Sequence, residues 1–146
     1  LNGHGGQSDI INEAVNELKM DEKMSGIRLL YLSHFNVLPV ELLAKDVPLK
    51  EDAYVHAEEL ETSLMLAVNP QIVKMKDAIR EIPSWIPKGL TAENVKLVKQ
   101  ILKTKSIGKD TKTGVIGDPT QASALKGRKA LRILSNKLAE IIKKEF

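Results

Sequence analysis

The sequence predicts an α/β fold built on a mainly parallel sheet, and three observations carry that expectation. The chain opens on a glycine loop, "NGHGGQ", of the kind that follows the carboxyl end of a strand. From Asp9 to Leu18 the apolar residues Ile11, Ala14, Val15 and Leu18 recur at helical spacing, with Ser8 placed to cap the first turn. Then "IRLLYLS", Ile27 to Ser33, is a short and continuously apolar run, the pattern of a strand covered on both faces. Loop, helix and strand make most of a βαβ unit whose first strand is missing.

The remaining elements follow in order. After Pro39 comes a short apolar segment. From Glu58, the residues Leu60, Leu64, Met65, Ala67 and Val68 predict a helix with acidic residues in its first turn, where they complement the helix dipole, and Pro70 stops it. The stretch from Lys74 to Leu90 carries Pro83, Trp85 and Pro87 and reads as an irregular surface excursion. Thr91 can cap a helix running to about Lys103, with Val95, Val98, Ile101 and Leu102 on one face. The polar, glycine-bearing stretch "KTKSIGKDTKTGVIGDPTQAS" reads as a loop, within which Asp118-Pro119 is a helix-start signal, because proline fits the first helical position without losing a needed N–H. A last helix to about Glu145 places Leu131, Leu134, Leu138, Ile141 and Ile142 on one side.

Composition narrows the function. At 146 residues the chain has room for one domain with a core. With no cysteine, disulfides, thiolate metal sites and a cysteine nucleophile are excluded, so a metal would sit on His, Asp or Glu. The net charge of +3 is dispersed among 19 acidic residues and aromatics are 3% of the chain, which lacks the basic patch and stacking platforms of a nucleic-acid binder. No apolar run is long enough to cross a bilayer.

Two segments hold nearly all the suggestive polar groups: the His4 loop and "HAEELETS", His56 to Ser63. In a parallel α/β sheet, loops at the carboxyl ends of neighbouring strands converge on one crevice. His4, His56, Glu58, Glu59 and Glu61 are an adequate ligand inventory for zinc or another divalent transition metal. Each has a plainer reading: a histidine in a glycine turn can be a turn residue, and glutamates at a helix start can be dipole complements on a solvated face. The glycines lack the G-x-G-x-x-G spacing or lysine of a phosphate loop.

"NGHGGQ" resembles the N-G-H-G-G-N signature of the creatininase (creatinine amidohydrolase) family, and "HAEELETSLML" resembles its H-A-G-E-x-E-T-S segment. "GVIGDPTQASALKG" resembles a third landmark, G-V-x-G-D-P followed by small residues and a glycine. The resemblance implies a layered α/β/α domain with a mainly parallel sheet, of which residues 1–146 would be the C-terminal part. The family's upstream E-x-H-G-x-H-L-P type segment and its following aspartate would be absent, and the first strands of the sheet with them.

By the same resemblance His4 matches a metal-binding histidine and His56 matches a histidine near the scissile bond. Glu59 is assigned to the second metal, and Glu61 is left as either a group behind the metal or a helix-start carboxylate. The implied cofactor is a pair of divalent ions, zinc first, with manganese or iron as alternatives. The implied activity is hydrolysis of a non-peptide C–N bond, cyclic or formamide-like, in a small-molecule amide, by a cytoplasmic homo-oligomer, commonly a hexamer, with no nucleic-acid or membrane partner. The sequence departs from the pattern at Glu58, where the family usually has glycine, at Gln7, and at Gly5 and Gly6, which replace the Tyr-Glu pair of creatininases proper. The resemblance therefore does not single out creatinine. The alternative from another class is a catalytically silent α/β module retained for assembly or binding.

Overall fold

The computed structural model describes residues 1–33, 37, 40–50, 55–89 and 92–146. Its regular elements are helices: α1 (Ser8–Met20), α2 (Val40–Asp46), α3 (Glu59–Val68), α4 (Ala92–Ile101), α5 (Ile107–Asp110) and α6 (Ala124–Glu145), with short 3₁₀ turns between several of them. The chain divides into two compact units, one of Leu1–Pro39 with Lys137–Phe146 and one of Val40–Asn136, so α6 begins in the second and ends in the first. No helix among the described residues is long and apolar enough to cross a membrane.

The predicted layered α/β/α architecture with a parallel sheet is not what the described residues form. Strand pairing among them is limited to three isolated bridges: Asn2 with Ser33 in parallel, and His56 with Ile116 and Glu81 with Gly117 antiparallel. The physical reason lies in the run Ile27–Leu32. Its apolar continuity predicts burial within a sheet, but a strand exists only through the ladder its neighbours complete. Here one neighbour meets the end of the run, where the Asn2 N–H donates to the Leu32 carbonyl at 2.7 Å, and Ile27 and Leu30 are exposed.

In the first unit, α1 matches the periodicity of residues 9–18, but Ser8 is its first residue rather than its cap. The turn Gly5–Gln7 leads into it, with His4 before that turn. None of the residues of α1 is buried, and Ile10, Leu18 and Met20 are exposed. The C-terminal end of α6 belongs to this unit, where the Arg28 guanidinium lies 4.9 Å from the centre of the Phe146 ring and 3.9 Å from the Glu145 carboxylate.

In the second unit, Leu43 and Val47 are buried one helical turn apart. A second cluster joins buried Ile86 and Ile116 to Val55, Ile82, Trp85, Val98 and Ile107. The segment expected to be a surface excursion thus supplies Ile82, Trp85 and Ile86 to the core, through a turn in which the Ile86 N–H donates to the Pro83 carbonyl at 2.9 Å. The stretch read as a polar loop contains α5, and the Asp118-Pro119 signal starts the turn Pro119–Gln121, with α6 beginning at Ala124. The cap expected at Thr91 lies outside the described residues.

Candidate functional site

In the first unit the His4 loop is fastened by Asn2. This asparagine is buried; its Oδ1 accepts from the His4 N–H at 3.0 Å, and its Nδ2 donates to the His4 carbonyl at 2.7 Å and to the Tyr31 hydroxyl at 3.2 Å. One side chain therefore holds both backbone groups of a residue two positions along, a local closure typical of asparagine beside glycine. The His4 ring is exposed, and a Cβ built on Gly6 would stand 3.1 Å from its Nε2. The imidazole thus occupies the space a side chain at position 6 would need. Asn2 frames His4 in the sequence, but its hold on the His4 backbone is a finding of the structure, signalled by an asparagine two residues before His4 in a glycine turn.

In the second unit, His56 is held through its backbone: its N–H donates to the Ile116 carbonyl at 3.3 Å, and the Ile116 N–H donates back at 2.9 Å. Ala57 follows with φ of 51°, the left-handed region. Glu58 then caps α3, its buried carboxylate accepting from the Leu60 N–H at 2.6 Å and the Glu61 N–H at 2.9 Å. Glu61 reaches back to accept from the Ala57 N–H at 2.7 Å. Glu58 thus satisfies two helix-start donors, while Glu61 folds back onto the N–H of the residue before the cap, an arrangement akin to a capping box.

Glu59 is different. It is 0% exposed; its Oε2 accepts from the Lys50 N–H at 2.7 Å, and its Oε1 pairs with the Lys126 ammonium. Lys126 also donates to the Gln121 carbonyl at 2.8 Å. Beside this pair, the buried Ser63 hydroxyl accepts from the Ser123 N–H at 3.0 Å, and Gly127 lies directly against the Ser63 carbonyl. The structure therefore brings together the second and third sequence landmarks, residues 56–63 and 116–127, by the His56 bridge, the Glu59 ion pair and the serine contact. His4 belongs to the other unit. Lys126 and Ser123 were not identified as site residues in the sequence.

Two carboxylates outside this cluster are shifted. The Thr113 hydroxyl, and then the Lys112 N–H, hold the Glu81 carboxyl below its ordinary value, and the Ser106 N–H does the same for Asp110. Among the described residues no three His, Asp or Glu side chains form a group that could hold a metal ion.

A family model described as creatininase, creatinine amidohydrolase, matches residues 1–142. No curated protein sequence matches the chain. Among solved structures, a protein from Bacteroides fragilis NCTC 9343 provisionally described as a creatinine amidohydrolase is 22% identical with a TM-score of 0.63, over 97% of this chain and 51% of that one. A creatininase described as the Mn form is 20% identical with a TM-score of 0.62, over 93% of this chain and 49% of that one. A glutamate-to-glutamine mutant creatininase of Zn–Zn type is 21% identical with a TM-score of 0.59, again over 93% and 49%. At these identities the likeness is one of fold, and the chain spans about half the length of the structures it matches. The family match, extending over nearly every residue and including all three landmarks, is the more specific finding: this chain belongs to the creatininase family.

Proposed function

We propose that the chain serves a metal-dependent amidohydrolase acting on a non-peptide C–N bond, cyclic or formamide-like, of a small molecule. The observation that carries the reading is the family match over residues 1–142, which takes in both the His4 loop and the His56 segment. The structures of Mn and Zn–Zn creatininases support a pair of divalent ions as the cofactor, zinc or manganese. Such ions, when bound, polarise the substrate carbonyl and lower the pKa of water.

The donor set tests that assignment. His4 fits one coordination position, being an exposed imidazole on a loop whose backbone is tied down by Asn2. Glu59, the second donor named by the resemblance, is paired with Lys126 and accepts from the Lys50 N–H, so an ion bound there would compete with the lysine. The described residues therefore fit part of a metal site and do not complete one. His56, partly exposed and anchored through its backbone to buried Ile116, is suited to pass a proton to a leaving nitrogen. Exposed apolar residues such as Ile10, Met20 and Ile27 support assembly into a homo-oligomer, and a cytoplasmic location accords with the reading.

Metal analysis and turnover of wild type beside His4→Ala and His56→Ala test the proposal, using a panel of cyclic amides and formamides. His4→Ala should lower bound zinc or manganese and abolish hydrolysis. His56→Ala should keep the metal and lose turnover. Unchanged metal content and turnover in His4→Ala would reject the assignment.

A further inference from the structure

We infer that Lys126 is the fixed cation of Glu59, and that the pair fastens the His56 segment to the third landmark in place of a metal contact at Glu59. This departs from the ligand role offered for Glu59 and leaves the roles of His4 and His56 standing.

The argument begins with cost. A carboxylate at 0% exposure must be neutralised or compensated by charge and hydrogen bonds. Glu59 has both, with the Lys126 ammonium on one oxygen and the Lys50 N–H on the other. Lys126 is itself mostly withdrawn from water, its side chain 12% exposed, and it spends a second proton on the Gln121 carbonyl. One ammonium thus joins α3, the turn Pro119–Gln121 and the first turn of α6. Two neighbouring contacts, Ser123 N–H to the Ser63 hydroxyl and Gly127 against the Ser63 carbonyl, hold the same seam. Ile116, which bonds His56 on both backbone groups, lies at the start of the segment so held. A divalent ion at Glu59 would have to expel an ammonium whose departure also strands the Gln121 carbonyl. The geometry therefore favours lysine as the resident cation.

The test is a double-variant cycle on the 146-residue chain: Glu59→Gln, Lys126→Met and the two combined, each unfolded thermally with and without Mn²⁺. Lys126→Met leaves a buried charge without its partner and should lower the midpoint by roughly 10 °C. The combined variant replaces the pair by neutral groups of similar size and should recover most of that loss. Should Lys126→Met fail to fold, a folded double variant gives the same answer. The Mn²⁺-induced shift should be the same in Glu59→Gln as in wild type, zero in both included. Amide exchange at Ile116, whose N–H is bonded to the His56 carbonyl, should accelerate more in Lys126→Met than exchange at Val47. A smaller Mn²⁺ shift in Glu59→Gln, additive losses in the cycle, or equal acceleration at Ile116 and Val47 would each overturn the inference. Loss of metal binding in His4→Ala bears on the functional proposal alone, so the two can fail separately.

Discussion

Gly127 lies so close to Ser63 that a Cβ built on the glycine would stand 1.8 Å from the serine carbonyl oxygen. The neighbour is backbone of α3, which cannot turn aside as a flexible side chain would, and the Ala67 methyl is 2.8 Å away on the same side. The glycine is thus what lets α6 approach α3 closely enough for Lys126 to meet Glu59.

Gly127→Ala should therefore be among the most damaging single substitutions in the chain. Opening the α3–α6 contact exceeds ordinary overpacking and should cost about 3 kcal/mol. The intrinsic helix propensity of alanine, worth about 1 kcal/mol over glycine, offsets only part of it. Chemical denaturation checks this against Arg128→Ala on the exposed side of the same helix turn, which should stay within about 0.5 kcal/mol of wild type. Equal midpoints for the two variants would show that α6 shifts without loss.

Acid should loosen the segment between α5 and Gly117 through Glu81. This carboxylate accepts from the Lys112 N–H at 2.6 Å and from the Thr113 N–H at 3.0 Å and hydroxyl at 2.5 Å, which hold its pKa below the ordinary 4.5. A group with a depressed folded pKa contributes stability that is present above its unfolded value and is lost as pH falls through the folded one. Glu81 should thus add to stability at neutral pH and lose its share below about 4.5. In Glu81→Gln that part of the acid-side slope should vanish. In Thr113→Val the Glu81 carboxyl should titrate closer to its ordinary value in a carbon-detected NMR titration, and an unmoved titration would assign the shift to another group.

How far the fold was legible follows from where each signal resides. Residues 9–18, Glu59–Val68 and the end of the chain carry 3.6-residue apolar periodicity, a local property, and α1, α3 and α6 form there. The run Ile27–Leu32 carries only the statement that its side chains are apolar. Whether it becomes a strand depends on partners distant in sequence, and the described residues supply one bridge, at Asn2 and Ser33. The site divides in the same way. The bonds of Glu58 and Glu61 rest on neighbours within four residues; their place at the start of an apolar helix is visible in the sequence, which reads them as dipole complements, and the cap itself is a finding of the structure. The partner of Glu59 stands 67 residues away, and nothing near Lys126 distinguishes it from the other lysines of a basic helix.

The left-handed residue beside His56 offers a sharp backbone test. Ala57, with φ of 51°, sits where a Cβ is disfavoured, held there by the cap in which Glu61 accepts its N–H. Glycine at this position relieves the strain while increasing the entropy of the unfolded chain, so Ala57→Gly should change stability by less than about 1 kcal/mol. A β-branched residue has no such compensation, and Ala57→Val should cost about 2 kcal/mol. Thermal unfolding of the three proteins should give the order glycine close to alanine and both well above valine. Valine tolerated without loss would mean that the turn rearranges.

Asn2 should matter to His4 more than its distance from any chemistry suggests. Its amide makes three hydrogen bonds, two of them to the backbone of His4, and the side chain is buried. Asn2→Ala removes all three and leaves the His4 N–H and carbonyl to find water, at a cost of about 2 kcal/mol. Asn2→Asp keeps the acceptor for the His4 N–H but places a second oxygen against the His4 carbonyl and so should fall between alanine and wild type. If the loop is the metal-facing one, its disorder should be felt as weaker metal uptake even in protein that remains folded, because a ligand that must be ordered on binding spends affinity on that ordering. Zinc titration followed by the His4 ring resonances measures both effects in one sample: the expected result for Asn2→Ala is a sharpened, more mobile His4 signal and at least a tenfold loss in zinc affinity. A mobile ring with unchanged affinity would separate the asparagine clamp from metal binding and confine its role to the N-terminal turn.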